Sequence, residues 1–542
     1  RFKPFLKDVY AEKLKQLSRK NNKRNNCAKL KKSKNEMIDL NEIFKSSERV
    51  NIEVKAAQGG VPGSTWETYS SFANTFGGTI VLGVDEDKNT REFIPLGVSE
   101  PQKMLFDIWN TLNNRQKISS NILLEHQVYV TEYKGLKFIV IEVPRADRHN
   151  KPVFIGADMF KGSFKRNHEG DYHCTTDEVK AMVRDSLDTS ADLTVLDTVG
   201  MAALNVDSIK SYRNRFEIIR SGHTWNALPN DEFLIKIGAA KVSENDGKVH
   251  PTLGGLIFFG DFINIMDKLP NFFLDYREKL AIDTRWSDRV CSGDGDWSGN
   301  VYDFYFKIVD RLTSDVKKPF IINRNLLRDD DTDIHKSLRE ALANALIHAD
   351  YCGRQGIVIE KDFRTLKFSN PGTFRISVDD AISGGVSDAR NGAIFNMFSL
   401  IKVGERSGMG LCDIYSHWKE YGYEMPVIKE TINPDRTTLI LNIEHEGNYA
   451  ANDGNVDGND GNYDGNIGGN DGNLDGNTDD NLSATDRNVF FVIKSNNKFS
   501  AKKIAEKLGV SESTVERATK RLKKLGYIER DGKTRGSWII LK

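Results

Sequence analysis

The stretch ERVNIEVK sets Glu48, Glu53 and Lys55 close together, and TIVLGVDED delivers a second acidic run, Asp85, Glu86 and Asp87, about thirty residues later. In VNIEV, Val50, Ile52 and Val54 alternate with Asn51, Glu53 and Lys55, the period of a strand that sends the first set inward and the second to its other face. Glu48 has the wrong parity for that strand, so it is expected on a preceding helix end or loop, bent back towards Glu53. Carboxylates that converge at strand ends repel one another unless a divalent cation lies among them, and hard oxygen ligands suit Mg²⁺ or Mn²⁺. Such an ion polarises a phosphoryl oxygen and activates a bound water, while Lys55 offsets developing charge. The competing reading is a solvated sheet face with a Glu-Lys pair.

A second constellation lies in SLREALANALIHADY, where Glu340, Asn344 and His348 follow one another by one helical turn. Leu338, Leu342, Ala345 and Leu346 cover much of the remaining circumference, so the helix is expected to be buried and its polar stripe to need partners. Glu340 as a base and Asn344 as a magnesium ligand would meet that need. Downstream, FSNPG carries Asn370 and Gly372, and VGERSGMGL carries Gly404, Gly408 and Gly410. Those glycines let backbone N–H groups approach phosphates, with a helix from about Leu411 adding its N-terminal dipole.

The elements that must position these residues follow from pattern. TWETYSSFANT reads as a helix that GG breaks, TIVLGV as a buried strand, and TTDEVKAMVRDS as a helix with a Thr cap. GIVIEKDF and TTLILNIEH read as strands of a later region, and the segment before it, with PTLGGLIFFG, as a mixed α/β connector. A chain of 542 residues holds three or four domains. These are expected as a basic extension (1–36), an α/β nucleic-acid domain (37–185), the connector (186–330), a nucleotide domain (331–445), an Asp/Gly/Asn-rich flexible tether (446–482) and a C-terminal winged helix (483–542).

Net charge is zero, yet both ends are basic around a neutral body, which suggests contact with a polyanion. The five cysteines are scattered without a C-x-x-C pair, so neither a zinc site nor a disulfide framework is indicated, and a reducing cytoplasm is the expected compartment. No apolar run reaches membrane-spanning length. In the tail, FSAKKIAEKLGVSESTVERATKRLKKLGYIERDGKTRGSWIILK gives helix, turn, basic helix and hairpin, with Ser513, Thr514, Arg517, Lys520 and Arg521 as candidate nucleic-acid contacts on the second helix.

ERVNIEVK followed by SSFANTFGGTIVLGVDED resembles the Schlafen/AlbA-like domain. In nuclease members of that family two glutamates and an aspartate form a metal-dependent RNA-cleaving site. The resemblance implies that role for Glu48, Glu53 and Asp85, with Lys55 beside them as a phosphate contact. Val54 stands where Phe is usual and Ser71 where Ala is usual. The order E-x3-N, N-P-G, G-x3-G-x-G resembles the GHKL ATP-binding fold, which implies an ATP site built from Glu340, Asn344, His348, Asn370, Gly372, Gly404, Gly408 and Gly410. GHKL proteins usually carry an Asp, which reads the adenine amino group, where this chain has Asn370.

The expected fold is therefore multidomain α/β: a Schlafen/AlbA-like α+β domain, a GHKL-like α/β sandwich and a winged helix-turn-helix. The expected function is an ATP-gated, metal-dependent nuclease for RNA, tRNA or single-stranded DNA, suited to defence against phage and working as a homo-oligomer. The alternative is an ATP-sensing, DNA-binding transcription regulator that does not cut.

Overall fold

The computed structural model describes residues 40–45, 50–87, 89–279, 286–314, 332–362, 364–404, 408–432, 434–443, 499–508, 511–530 and 538–541, together with Asp486, Val489, Phe490 and Ile493. The basic N-terminal extension, Glu48 and the 446–482 tether lie outside the described residues. The chain divides into two units, residues 1–444 and 445–542.

The first unit begins with helix α1 (Leu40–Lys45) and strand β1 (Ile52–Lys55). Helix α2 (Ser64–Asn74) buries Tyr69, Phe72 and Ala73 and leads to strand β2 (Gly78–Leu82), which pairs parallel to β1 with Glu53 opposite Ile80. The turn between them needs glycine. Gly77 has φ +79, and a Cβ there would approach the Val143 carbonyl oxygen to 2.8 Å.

Ile52 and Val54 pack with Leu40, Ile43, Val81 and Val84, as their alternation predicts. Val50, in contrast, lies before the strand in a turn and is 45% exposed, so it is not the inward residue its parity suggested. TIVLGV is also not one strand. It breaks at Gly83 (φ +99), and β3 (Val84–Glu86) pairs instead with β4 (Phe93–Pro95) as a separate hairpin.

Helix α3 (Pro101–Leu112) and strands β5 (Val128–Tyr133) and β6 (Leu136–Val143) complete a four-stranded sheet of order β1-β2-β6-β5. The hairpin of β7 (Phe164–Asn167) and β8 (Gly170–His173) packs on α2. Helix α4 (Thr176–Ser186) starts at Thr175, whose side chain accepts from Glu178 N while Glu178 reaches back to Thr175 N, a reciprocal cap.

The region expected to be a connector holds a small hairpin, β9 (Ala240–Val242) with β10 (Val249–Pro251), and α5 (Leu253–Phe259), the helix made by PTLGGLIFFG. It also supplies β11 (Leu274–Lys279) and β12 (Asp288–Cys291). These join β13 (Ile357–Asp362), β14 (Thr365–Pro371), β15 (Val427–Thr431) and β16 (Arg436–Asn442) in a six-stranded sheet of order β12-β11-β13-β14-β16-β15. Helix α6 (Asp333–Ile347) packs on β14, and α7 (Gly392–Leu400) and α8 (Gly410–Glu420) pack against α6. One hydrophobic cluster runs from Leu204 to Leu441, so the boundary drawn at 330 falls inside a single folded body.

The second unit contains α9 (Ala501–Leu508), α10 (Glu512–Lys524) and the antiparallel pair β17 (Ile528–Arg530) and β18 (Trp538–Ile540) around Ile504, Val515, Leu522 and Trp538. Cys174, Cys291 and Cys352 are free thiols. Among the described residues no helix is long and apolar enough to cross a membrane.

Candidate nucleotide cleft and nucleic-acid surfaces

Helix α6 carries Glu340 and Asn344, His348 caps its C-terminal end, and all three border a cleft of about 1050 Å³ of empty space. Asn370 from β14 and Gly408 and Gly410 from the start of α8 line the same cleft, so six of the eight residues singled out for nucleotide meet there. Asn344 donates from Nδ2 to Glu340 Oε1 at 3.3 Å, which turns its carbonyl oxygen away from that contact. A Cβ on Gly410 would fall on Glu340 Oε1, and one on Gly408 (φ +65) would press on the Val386 backbone. The backbone therefore comes up against the polar stripe at Gly410, and against Val386 at Gly408, only because both residues are glycine. Phe368, Ile428 and Leu439 supply an apolar wall. This mixture of apolar wall, glycine backbone, carboxylate and amide fits a nucleotide and its metal ion.

Two predicted residues do other work. Gly372 (φ +92) lies outside the cleft, and a Cβ on it would strike the Arg390 guanidinium, so its bareness makes room for that side chain. Gly404 sits behind Ile347 and Phe395 and does not border the cleft. His348 does border it, but burial, with Arg390 and Arg375 nearby, pushes its imidazole down to about 4, so it is neutral at physiological pH.

Sequence reasoning missed the arginines that frame the cleft. Arg390 donates to the His348 and Thr373 carbonyls at 2.8 and 3.0 Å and pairs with Asp185 at 2.8 Å. Arg375 reaches Asp185 at 2.9 Å and Asp388 at 3.5 Å, and Arg148 reaches Asp388 at 2.5 Å. Asp185 and Arg148 belong to the N-terminal lobe, so these pairs, with Arg145 to Glu430 at 2.8 Å and Arg184 to Asp350 at 2.6 Å, tie that lobe to the cleft. Burial alone would push Asp185 up, and Arg390 and Arg375 more than reverse it, holding the carboxyl well below the usual range. Such long-range pairs have no local periodicity by which a sequence could announce them.

In the N-terminal lobe, Glu53 has both oxygens engaged. Lys55 Nζ meets Oε1 at 2.7 Å, and Arg166 Nη2 meets Oε2 at 3.0 Å. Arg166 is also bound to Asp171 at 3.0 Å and to the Val50 carbonyl at 3.0 Å, and it lies over the Phe72 ring. Asp171 in turn accepts from Ser71 at 2.5 Å and Thr68 at 2.6 Å. Ser71, the departure from the family pattern, thus anchors the carboxylate that orients Arg166. Asp85 is exposed on β3, which packs beside β1, and Glu48 lies outside the described residues. Among the described residues no group of three His, Cys, Asp or Glu side chains is arranged to hold a metal ion.

On α10, Ser511 caps the helix by accepting from Thr514 N at 3.2 Å. Ser513, Arg517 and Lys520 are exposed and Thr514 is half-buried. Arg521 is different from the other candidates, since its guanidinium is held at 3.0 Å by the buried Asp486.

The family matches describe a protein that combines nucleic-acid-binding domains with an ATPase-type domain. More particularly, residues 44–175 match the family described as "Schlafen, AlbA_2", residues 363–441 the one described as "Putative ATP-dependent DNA helicase recG C-terminal", and residues 482–529 "Winged helix-turn-helix DNA-binding". Residues 180–275 match "Domain of unknown function (DUF8451)". The chain carries a Schlafen/AlbA domain, an ATPase-type domain and a winged helix. Among solved structures it is similar to the DIP2311 protein from Corynebacterium diphtheriae, with 15% identity over 91% of this chain and 80% of that one and a TM-score of 0.36. It is also similar to the N-terminal domain of a putative ATP-dependent DNA helicase RecG-related protein from Nitrosomonas europaea, with 26% identity over 25% of this chain and 90% of that one and a TM-score of 0.21. No curated protein matches the chain.

Proposed function

We propose that the protein is an ATP-gated nucleic-acid-binding regulator: a GHKL-type cleft takes ATP, and occupancy governs how the Schlafen/AlbA domain and the winged helix engage nucleic acid. What carries this reading is the meeting of Glu340, Asn344, Asn370, Gly408 and Gly410 around one cleft whose arginine frame is ion-paired to the N-terminal lobe. Asn344 is the residue to hold a magnesium ion, which when bound would neutralise phosphate charge. Glu340 is the residue to orient a water. Asn370 offers adenine a neutral acceptor in place of a carboxylate. A homo-oligomer formed through the ATPase domain is part of the proposal.

The second reading keeps the catalytic roles of Glu48, Glu53 and Asp85, with Mg²⁺ or Mn²⁺ as cofactor, RNA, tRNA or single-stranded DNA as substrate, and phage defence as its setting. The adjacency of Lys55 to Glu53, and of β3 with its exposed Asp85 to β1, favours it. Against it weighs Glu53, which would have to release Arg166 or Lys55 before an oxygen could reach a cation. Cleavage of labelled tRNA and single-stranded DNA, with Mn²⁺ or EDTA and with or without ATP, separates the two in wild type and Glu53→Gln. Equal binding without cutting by either protein, modulated by ATP, supports the regulator. Metal-dependent cutting lost in the variant establishes the nuclease.

A further inference from the structure

Behind the nucleotide cleft, and separated from it by Thr373, Phe374, Arg375 and Arg390, is a second cavity of about 840 Å³ of empty space between the N-terminal lobe and the ATPase-type lobe. It is ringed by cations that have carboxylate partners: Arg145 with Glu430, Arg148 with Asp388, Lys165 with Glu178 at 2.5 Å, and Arg375 and Arg390 with Asp185. Lys151 breaks this pattern. Its Nζ donates to the Asn74 carbonyl at 2.8 Å, and among the described residues it makes no ion pair.

The lysine is held where it is. Asn74 donates to the Val153 and Phe164 carbonyls at 2.8 and 2.9 Å and accepts from Val153 N at 2.8 Å, so the carbonyl that anchors Lys151 is itself fixed from both ends of its side chain. An ammonium facing a cavity with donors to spare carries a desolvation cost that an incoming oxyanion would offset. Phe76, lining the cavity with its ring under the Arg145 guanidinium, adds an aromatic wall for the rest of a ligand.

We propose that this cavity is a binding site for a small ligand bearing a single phosphate or carboxylate group, received by the Lys151 side chain. The state of the amine agrees. Burial, reinforced by Arg145, pushes it down to about 7 against the opposing pull of Asp435, Glu430 and Asp185, and a bound anion would restore its charge.

That same state makes Lys151 open to a direct test. Full-length protein is treated with pyridoxal 5′-phosphate at pH 7.5: the amine condenses with the aldehyde, losing water, and borohydride then reduces the imine, so that mass spectrometry can map the label. Lys151 is expected to label about tenfold more than exposed lysines, and millimolar inorganic phosphate or acetate to suppress it. Suppression by phosphate alone assigns a phosphate ligand, and suppression by acetate alone a carboxylate ligand. Labelling of Lys151 no greater than that of exposed lysines, or labelling that neither anion suppresses, overturns the proposal. The Lys151→Met variant should lose the mapped label with its melting temperature retained. If that variant does not fold, the wild-type competition still decides.

Discussion

Arg166 meets Glu53 at 3.0 Å with its side chain only 4% exposed, and the same guanidinium binds Asp171. Removing the arginine leaves Asp171 without its cation and Glu53 with Lys55 alone, both carboxylates being largely buried. Arg166→Met is therefore expected to cost about 3–5 kcal/mol, seen as a lower midpoint for the first unfolding transition in urea. Glu53→Gln keeps the shape and one acceptor, so a milder loss is expected. If the two variants unfold alike, the pair is not what organises this face.

Gly410→Ala places a methyl group on Glu340 Oε1, and Asn344→Ala removes the amide beside it. Each should weaken ATP binding at least about tenfold, about 1.4 kcal/mol, in calorimetric titration, leave DNA binding measured without ATP unchanged, and remove the effect of added ATP on it.

Asn370→Asp restores the carboxylate usual in GHKL proteins. Hydrogen bonds to charged groups exceed neutral ones by about 1 kcal/mol, so the ratio of ATP to GTP affinity should rise about fivefold. An unchanged ratio would remove Asn370 from base recognition.

His348 is buried neutral, with its folded pKa pushed down by burial to about 4 from the usual 6.5. Above pH 6.5 folded and unfolded states are both neutral, and no difference arises. Between pH 6.5 and 4 the unfolded state takes up a proton that the folded state refuses, so stability falls as pH falls, by at most about 1.4 kcal/mol per pH unit. His348→Gln should flatten this part of the stability profile in urea titrations at pH 7.5, 5.5 and 4.5.

Arg517 and Lys520 are exposed on α10, whereas Arg521 is tied to Asp486. Alanine at either of the first two should weaken binding to all duplex sequences alike and lower the salt slope by about one. Arg521→Ala should instead lower the melting temperature of the unit. A normal melting temperature with a reduced salt slope would move Arg521 back among the phosphate contacts.

Local pattern carried most of what proved legible. The Thr175 cap, the α6 stripe of Glu340, Asn344 and His348, the Ser511 cap and the glycines before α8 could be read because helical period and turn chemistry act over a few residues. Gly372 was read as a phosphate glycine, but its space belongs to Arg390, eighteen positions on and contributed by a different loop. Arg166, more than a hundred residues after Glu53, gives no local signal of its role, and neither does the pairing of β11 with β13. Distant side chains and sheet order are set by tertiary packing, which periodicity does not encode.

That last pairing bears on which part of the chain can travel as a unit. β13 lies between β11 and β14, so cutting the chain just before α6 would strip it of a neighbour and leave a row of unpaired backbone groups, an invitation to edge-to-edge aggregation. The smallest portable ATPase-type module starts well upstream of its nucleotide signature. In any recombination between relatives, a crossover near residue 200 would be tolerated far better than one near residue 330.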